Sequence, residues 1–376
     1  MNRVLFCSTG GDGHLLPLLP LAAAFATRGD DVLIATPADH GDRLRQAGLT
    51  HQPVGPSVQE LQATLGAHLE RIAQIPIAER RVVGFSGRFA AEAQLRLPGL
   101  LELVDEWQPD LIVYESADLA APIAAAAGGV RAVHHSFGRA IPEAPIRAAA
   151  ELVAPLWRAA DLEPDEFAGA YRWAYVEICP PALRVPALAE QQSVHFLRPV
   201  AAVTRATATR QRPLVYVTLG TRYNDPTVFR VLLDALGAAD CDAIMTIGRD
   251  RAVDELGPIP SNVTVAQYIP QDEVLADCDA VVSHGGSGSF LAALAYGRPL
   301  VLLPQGADQL DNASACAALG VAEVASPSEQ NHDRVRRALE LVLGEPEYTA
   351  AARSIAEEIA AMPSPAAAAD ELAAQR

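Results

Sequence analysis

The chain has 376 residues, of which 50% are hydrophobic and 20% charged, and its formal net charge is −17. This is the composition of a globular protein, and the length predicts two domains rather than one. The acidic balance argues against nucleic acid as a partner, and no basic run indicates binding to an anionic membrane.

The N-terminal residues 1–7 form a short apolar run that predicts a strand rather than a signal peptide. No segment is apolar over the length that a transmembrane helix needs, so no stable membrane anchor is expected. The five cysteines are scattered and include no CxxC pair. This pattern indicates a reduced, cytoplasmic protein without a zinc site.

Short apolar runs alternate with longer amphipathic segments along the chain. The strand-like runs cover residues 3–8, 31–36, 110–114 and 130–134 in the first half, and 214–219, 243–247, 262–266, 280–283 and 300–303 in the second. Continuous apolar runs separated by helical segments are typical of parallel strands that are covered on both faces. Because the pattern occurs twice, the sequence predicts an α/β protein with two doubly wound, Rossmann-like domains.

A polar stretch near the middle of the chain sets the predicted domain boundaries. Residues 201–212 have no apolar period and precede Pro213, so they are the predicted linker. The predicted domains are residues 1–200 and 213–350, followed by a helical tail at 351–376 that is broken at residues 362–365. Parallel sheets bind ligands at the carboxyl ends of their strands, so two such domains facing across a cleft should carry their functional residues just after strands.

A loop rich in glycine and serine, residues 284–289, lies between a predicted strand and a predicted helix. A helix N-terminus presents unpaired N–H groups and the positive end of the dipole, and glycines let a ligand approach the backbone. His284, Ser287 and Ser289 add side-chain donors, so the loop suits a phosphate group. From the loop alone, a tight turn with serine as N-cap remains an equal alternative.

A second polar junction follows the next predicted strand, where Asp308 and Gln309 stand. A carboxylate beside an amide can hold vicinal hydroxyl groups with directional hydrogen bonds. The alternative is that Asp308 only caps the following helix. A phosphate site next to a hydroxyl site is typical of nucleotide-sugar binding.

Residues 284–320 resemble the donor-binding signature of GT-B glycosyltransferases of family 1, in their bacterial natural-product branch. Four other stretches are similar to the same family, in the same order along the chain: residues 7–25, 107–115, 214–221 and 267–275. The resemblance implies the GT-B fold, with a C-terminal helix packing back towards the N-terminal domain. It also implies an inverting glycosyltransferase that uses a nucleotide-sugar donor and a small hydroxylated acceptor.

On the acceptor side, the resemblance assigns His14 as the catalytic base that deprotonates the acceptor hydroxyl. The positive end of the helix that opens at this residue disfavours the imidazolium form. The family places a carboxylate beside the base. Glu115 matches that position best, Asp118 is the rival, and the sequence leaves the choice open.

The resemblance also assigns the remaining binding residues. The residues assigned to the donor diphosphate are Thr221, His284, Gly286, Ser287 and Ser289. Tyr268 and Ile269 are assigned to the nucleobase of the donor, and Asp308 and Gln309 to its sugar. The acceptor wall is expected in the least regular region, residues 55–96, which includes Phe85, with His135 and Phe137 nearby. Each of these three side chains can equally belong to the core.

Ala292 is the one informative departure from the family pattern. The UDP-sugar branch carries a glutamate at the matching position, where it binds both ribose hydroxyls. An alanine there fits a 2′-deoxyribose, so a TDP-sugar, typically a TDP-deoxysugar, is favoured over a UDP-sugar. The acceptor is then expected to be a natural-product aglycone, and the sequence does not name it.

Two Asp-Cys-Asp triplets, at 240–242 and 277–279, raise the question of a metal site. Each lies between a helix and the start of a strand, at the wrong edge of the sheet, so both are interpreted as solvated turns. We therefore expect neither a metal nor a cofactor beyond the nucleotide-sugar co-substrate.

Three other functions were weighed. A Rossmann oxidoreductase is disfavoured because the third glycine position of its motif is Leu16 and no acidic residue closes the second strand. A non-catalytic activator paralogue is disfavoured because the chain keeps both the base and the phosphate loop. A sugar-nucleotide epimerase of the same fold would convert donor without acceptor. A homodimer is left open.

Overall fold

The computed structural model describes residues 1–75, 77–185, 193–199, 210–220, 226–249 and 251–375. The chain forms two compact units. Unit 1 consists of Met1–Cys179, Arg184–Arg198 and Pro363–Arg376, and unit 2 consists of Pro180–Leu183 and Pro199–Met362. Within the described ranges, no helix is long and apolar enough to cross a membrane.

Unit 1 contains, in its described residues, a seven-stranded parallel sheet in the order β3-β2-β1-β4-β5-β6-β7. Its strands are β1 (Arg3–Cys7), β2 (Asp31–Thr36), β3 (Thr50–Pro53), β4 (Leu111–Glu115), β5 (Arg131–His135), β6 (Ala174–Glu177) and β7 (Val194–Phe196). The central strands are buried along nearly their whole length. This burial is why their sequences are continuous apolar runs rather than alternating ones.

The helices of unit 1 cover both faces of this sheet. Those in the first 179 residues are α1 (Asp12–Leu15), α2 (Leu19–Thr27), α3 (Gly41–Gln46), α4 (Val58–Ala73), α5 (Ile77–Trp107), α6 (Ala121–Ala127) and α7 (Glu143–Ala159). The apolar face of α5 and the buried Trp157 of α7 belong to one core that also includes Ile112 of β4.

Unit 2 repeats the architecture with a six-stranded parallel sheet, among its described residues, in the order β10-β9-β8-β11-β12-β13. Its strands are β8 (Leu214–Thr218), β9 (Asp242–Thr246), β10 (Val263–Ala266), β11 (Ala280–Ser283), β12 (Leu300–Leu302) and β13 (Ala322–Val324). Its helices are α8 (Pro226–Gly237), α9 (Gln271–Leu275), α10 (Ser287–Ala295), α11 (Gln309–Ala318), α12 (His332–Gly344) and α13 (Pro346–Ala361).

The predicted α/β class with two doubly wound units is confirmed, and each of the nine predicted strands has a counterpart. Four further strands, β3, β6, β7 and β13, were missed. Each is only three or four residues long, and all four lie at or next to an edge of the described sheets. Strands this short do not produce an apolar run that stands out in a sequence.

The expectation of an irregular region over residues 55–96 was wrong, because helices α4 and α5 fill most of it. The 31-residue helix α5 contains Pro98 and three glycines, Gly84, Gly87 and Gly99, that resemble loop signals. Helix propensity is a weak determinant compared with tertiary packing, and α5 packs along α7 in the core of unit 1.

The end of the chain is helical with a break after residue 361, as predicted, but its two helices belong to different units. Helix α13 belongs to unit 2, and helix α14 (Pro365–Ala374) belongs to unit 1. The two helices are separated by three non-helical residues, 362–364. Ser364 caps α14 by accepting a hydrogen bond from the N–H of Ala367 at 3.3 Å. The predicted return of the last helix to the N-terminal part of the chain is therefore confirmed for α14 alone.

Helix α14 packs on α2 and is held by polar contacts along its C-terminal half. Arg28 forms an ion pair with Asp370 at 2.6 Å, and Arg131 donates to the carbonyl of Leu372 at 2.8 Å. His195 of β7 contacts Glu371 at 2.9 Å. Two apolar residues of α14, Ala369 and Leu372, are completely buried.

Only the last three residues of the predicted linker, 210–212, are among the described residues, and they lie against unit 2. Arg212 contacts Asp240 at 3.0 Å and Asp242 at 3.1 Å, and Arg210 pairs with Asp277. The two Asp-Cys-Asp triplets thus face arginines at the edge where β9 and β11 begin. The interpretation of them as turns at the wrong edge for a ligand agrees with this position.

Candidate active site

Each sheet reverses its strand order at one point, and this switch point is where doubly wound sheets bind ligands. In unit 1 the reversal lies between β1 and β4, and in unit 2 between β8 and β11. The loop after β1 carries His14, and β4 ends at Glu115. The loop after β11 carries His284. The sequence-predicted residues therefore stand at the two crevices that the topology creates.

His14 lies in α1, the short helix that follows the loop after β1. Its Nδ1 is 3.3 Å from Oε2 of Glu115, which is the last residue of β4. The Glu115 side chain is completely buried, whereas 16% of the His14 side chain is exposed. An ionised carboxylate only accepts hydrogen bonds, so Nδ1 carries the proton and Nε2 is the basic nitrogen.

The surroundings of Glu115 keep its carboxyl group ionised. Burial alone would raise its pKa, but the charge and hydrogen bond of His14, with bonds from Thr9 and Ala117, hold the pKa at about 2. The N–H of Thr9 donates to Oε1 at 3.1 Å, and the N–H of Ala117 donates to Oε2 at 2.6 Å. Thr9 was not singled out from the sequence.

Asp118, the rival carboxylate, is bonded elsewhere. Its carboxylate pairs with Arg96 of α5 at 2.7 Å, and both side chains are completely buried. Its other oxygen accepts hydrogen bonds from the N–H groups of Ala120 and Ala121 at the start of α6. The structure therefore places Glu115 beside His14. The prediction of Asp118 as the carboxylate that pairs with His14 is corrected.

Aromatic rings surround the His14 imidazole. Phe137 lies 4.6 Å and Phe89 5.3 Å from it, measured between ring centroids, and Phe85 packs on Phe89 at 4.9 Å. Phe85 and Phe137 are partly buried. Two predicted acceptor residues thus lie close to His14, together with Phe89, which the sequence analysis missed. An apolar molecule is what such rings bind.

His135, the third residue predicted to contact the acceptor, has no accessible surface. It is completely buried at the end of β5, and its Nδ1 is 2.6 Å from the carbonyl oxygen of Ser136. Its prediction as an acceptor contact is therefore corrected. Burial lowers the pKa of His135 to about 4, and it has the same effect on the adjacent His134.

The buried histidines predict a loss of stability in acid. An unfolded histidine has a pKa near 6.5, so between about pH 6.5 and about pH 4 the unfolded chain binds more protons than the folded one. Their contribution is complete above this range and is lost as the pH falls through it. Glu177 acts in the opposite direction, because burial raises its pKa to about 7.

We expect His135→Gln to reduce the drop in unfolding temperature between about pH 7.5 and about pH 5, and Glu177→Gln to enlarge it. Circular dichroism melts of the two variants and the parent chain measure both effects. Equal drops in all three proteins would contradict the assignment.

His284 follows β11 and is packed between two glycines of unit 2. A Cβ atom at Gly220 would lie 2.7 Å from its Cε1, and one at Gly286 would lie 2.4 Å from its Nε2. Burial lowers the pKa of His284 to about 4, so the ring is neutral near pH 7. Glycine at both positions is therefore required by the space that this imidazole occupies.

Helix α10 begins directly after this histidine. Gly286 is its N-cap residue, and in the described structure no side chain caps this end. Ser287 is buried in the first turn, and Ser289 is half-buried. The arrangement presents backbone N–H groups and the positive end of the helix dipole, as an anion site requires.

Asp308 is connected to this loop through side chains. Its Oδ2 accepts hydrogen bonds from Oγ of Ser287 and from Nδ2 of Asn312, both at 2.9 Å. Asn312 is buried and also donates to the carbonyl of Gly285 at 3.0 Å. Asn312, missed in the sequence, therefore joins the predicted phosphate loop to the predicted sugar contact.

Gln309 begins α11 with its side chain turned into the structure. It is buried, and its Oε1 accepts hydrogen bonds from the N–H groups of Gln305 at 2.8 Å and Gly306 at 3.1 Å. This oxygen holds the loop before α11. The predicted sugar contact of Gln309 stays a prediction.

Tyr268 follows β10, and 55% of it is exposed. The guanidinium carbon of Arg249 lies 3.7 Å from the centroid of its ring. Such a pair is a cation–π contact, and it covers one face of the aromatic ring. Ile269, next in sequence, is half-buried. Thr221, the remaining predicted donor contact, lies outside the described residues.

The part of the chain that the structure describes contains no group of three or more histidine, cysteine, aspartate or glutamate residues placed to hold a metal ion.

One solved structure is similar to this chain over nearly its whole length. The crystal structure of the glycosyltransferase SsfS6 of Streptomyces sp. SF2575, complexed with thymidine diphosphate, aligns over 99% of this chain and 99% of its own. The TM-score is 0.80 at 25% sequence identity. Together with the two doubly wound units, this similarity defines the protein as a GT-B glycosyltransferase.

Family comparisons narrow the class. Residues 23–197 and 230–375 match the N-terminal and C-terminal domains of the erythromycin biosynthesis protein CIII-like family. The L-demethylnoviosyl transferase of Streptomyces niveus is 34% identical, over 100% of this chain and 98% of its own length. The elloramycin glycosyltransferase ElmGT of Streptomyces olivaceus is 30% identical, over 97% and 95%.

The chain therefore belongs to the erythromycin biosynthesis protein CIII-like family of bacterial natural-product glycosyltransferases. As a member it is an enzyme that transfers a sugar from a nucleotide-sugar donor to a small-molecule acceptor.

Proposed function

We propose that this enzyme transfers a deoxysugar from a TDP donor to a hydroxyl group of a natural-product aglycone, by direct displacement with inversion. His14 is the general base. The observation that carries the proposal is the contact between His14 and the buried, ionised Glu115 at 3.3 Å.

Glu115 gives His14 two properties that a base needs. It accepts the Nδ1 proton, which leaves Nε2 as the acceptor nitrogen, and its negative charge stabilises the imidazolium that forms. The pKa of Glu115, at about 2, keeps this charge in place across the working pH range. Phe89 and Phe137 restrict the ring by packing on it, and they fit an apolar acceptor.

The reaction is a single displacement. Nε2 of His14 takes the acceptor's hydroxyl proton while that oxygen forms a bond to the anomeric carbon. The bond between this carbon and the diphosphate oxygen breaks, and its electron pair leaves with TDP. Attack from the side opposite to the leaving group inverts the anomeric configuration.

On the donor side, the departing diphosphate gains negative charge in the transition state. The N-terminus of α10 and the hydroxyls of Ser287 and Ser289 are suited to stabilise that charge. His284, packed between Gly220 and Gly286, shapes the same loop. Asp308 and Gln309 are proposed to contact the sugar of the donor, and Tyr268 and Ile269 are proposed to contact its nucleobase. We propose that no metal or additional cofactor takes part.

Two observations support TDP over UDP. Ala292, in α10, offers no carboxylate to a ribose 2′-hydroxyl, and a 2′-deoxyribose needs none. SsfS6, similar over nearly the full chain, was solved with thymidine diphosphate.

Thermal shifts test the donor assignment. A ligand that binds only the folded state at about 100 times its Kd adds roughly 2.7 kcal/mol, so TDP should raise the unfolding temperature more than UDP. Gly286→Ala should abolish the effect, because its Cβ would lie 2.4 Å from Nε2 of His284. Gly344→Ala is the matched control, because no atom lies within 4 Å of its Cβ.

Equal or greater stabilisation by UDP would remove the deoxysugar assignment and favour a UDP-hexose donor. Transfer assays of the purified chain with a chelator present test the rest of the proposal. Lack of turnover despite TDP binding would favour a non-catalytic activator, and donor conversion without acceptor would favour an epimerase.

A further inference from the structure

Three successive backbone N–H groups in the loop after β1 are each bound by a side chain from a different element. The N–H of Thr9 donates to Glu115 of β4 at 3.1 Å, and that of Gly10 donates to Glu92 of α5 at 3.1 Å. The N–H of Gly11 donates to Nε2 of His40 at 3.2 Å, from the segment after β2.

In a Rossmann-like unit, this is the loop whose N–H groups bind a ligand phosphate. Here the protein's own carboxylates and an imidazole occupy them. Gly11 has a φ of 130°, which only glycine adopts readily, so the loop keeps the tight form of a phosphate loop. With its donors satisfied internally, the loop serves to fix the residue that follows it, His14.

The reaction scheme uses neither His40 nor Glu92, and Glu92 is the more deeply buried of the two. Its side chain is completely buried, Oε1 accepts the Gly10 N–H, and Oε2 has no hydrogen-bond partner among the described residues. A buried carboxylate is costly, and burial raises the pKa of Glu92. A methionine of similar size would fill the same space at lower cost, so packing alone does not explain a carboxylate here.

The position of Glu92 on α5 connects it to the base from a second side. Phe89 lies three residues earlier on the same helix face, and its ring packs on the His14 imidazole at 5.3 Å. Helix α5 therefore contacts both the backbone of the loop, through Glu92, and the ring of the base, through Phe89. A shift of the Gly10 backbone would move His14 relative to Glu115, because only three residues separate Gly10 and His14.

We propose that Glu92 is a positioning residue for His14, which it holds through the N–H of Gly10. The inference rests on the proposed role of His14 as the base. The positioning role of Glu92 requires an oxygen acceptor rather than a negative charge, because it is exerted through the hydrogen bond from the N–H of Gly10. The charge of Glu92 interacts separately with that of Arg96, four residues further along α5.

Kinetics of three variants test this. In Glu92→Met the space stays filled but the acceptor is lost. We expect kcat to fall about 10–100-fold with the KM of donor and acceptor unchanged, since a small misplacement of a catalytic group costs this much. Glu92→Gln keeps an amide oxygen for Gly10 and should retain kcat within a factor of about 3. Glu102→Ala, at an exposed residue of the same helix, is the control and should match the parent.

Glu92→Ala provides a second test if the methionine variant does not fold. Sodium formate should restore part of the kcat of Glu92→Ala by supplying a carboxylate to the N–H of Gly10, and it should not affect the parent enzyme. TDP-induced thermal shifts of each variant verify that unit 2 is intact.

A kcat of Glu92→Met within twofold of the parent would overturn the inference. An equal loss in Glu92→Gln would also overturn it, because the charge and not the hydrogen bond would then matter. A raised acceptor KM with unchanged kcat would reassign Glu92 to acceptor binding. Absence of transfer by the parent enzyme, or full activity of His14→Ala, would instead remove the proposed function itself.

Discussion

His14→Ala should lower kcat by about 10²–10⁴-fold, the usual contribution of a positioned general base, while the affinity for TDP stays the same. The variant removes the only group proposed to take the acceptor proton. The donor residues lie in unit 2, so a change at His14 in unit 1 leaves their side chains in place. The loss should therefore appear in turnover at saturating concentrations of both substrates.

The fold should survive this substitution. Among the described residues the imidazole is hydrogen-bonded to Glu115 alone, and the space that His14→Ala leaves is open to solvent, because 16% of the side chain is exposed. Glu115 keeps its bonds from Thr9 and Ala117. Circular dichroism melts of the variant should match those of the parent to within a few degrees.

Glu115→Gln is the companion variant. A glutamine amide both donates and accepts hydrogen bonds, so it can hold His14 by the wrong ring nitrogen or in the wrong tautomer. It should also lower kcat, at unchanged substrate KM, as the removal of an orienting carboxylate does in other acid–base sites. If His14→Ala keeps more than about one tenth of the parent kcat, a general base at this position is excluded.

Asp118→Asn should destabilise unit 1 by about 3–5 kcal/mol, because it removes the carboxylate that is hydrogen-bonded to the buried guanidinium of Arg96. The two side chains are 2.7 Å apart and completely buried. Arg96 also donates to the carbonyls of Val54 at 2.7 Å and Ala35 at 3.4 Å, so it cannot turn towards solvent without breaking these bonds. Urea or thermal unfolding of the purified variant measures the loss.

An exposed ion pair of the same kind is the control. Asp42 pairs with Arg45, and their side chains are 84% and 70% exposed. Asp42→Asn should change the stability by less than about 1 kcal/mol. Replacement of both buried partners, in Arg96→Met with Asp118→Leu, should cost less than Asp118→Asn alone. A double variant that is less stable than the single one would contradict a desolvation origin for the effect.

The features that the sequence predicted are those encoded by neighbouring residues. Runs such as Leu214–Thr218 and Ala280–Ser283 are apolar throughout, because parallel central strands are buried on both faces. Short strands such as Thr50–Pro53, with a mostly exposed pattern, carry no such signal. Helix α5 was misread because its glycines and Pro98 are local loop signals that packing against α7 overrides.

The candidate site divides in the same way. His14 and His284 were found because each stands in a glycine-rich junction directly after a strand. The partners that define their environment come from distant parts of the chain: Glu92 is 82 residues from Gly10, and Glu115 is 101 residues from His14. No local pattern distinguishes Glu115 from Asp118. The difference between them is that Asp118 is already paired with Arg96 of α5.

The return of α14 to unit 1 matters for enzymes assembled from two parents. The chain contributes three segments to unit 1, and the last of them begins at Pro363, so a crossover at the middle of the sequence does not exchange a complete unit 1. Such a hybrid would join α2 of one parent to α14 of the other and disrupt the Arg28–Asp370 and His195–Glu371 pairs. Recombination should therefore use two crossovers, with residues 363–376 inherited from the parent that supplies the N-terminal half.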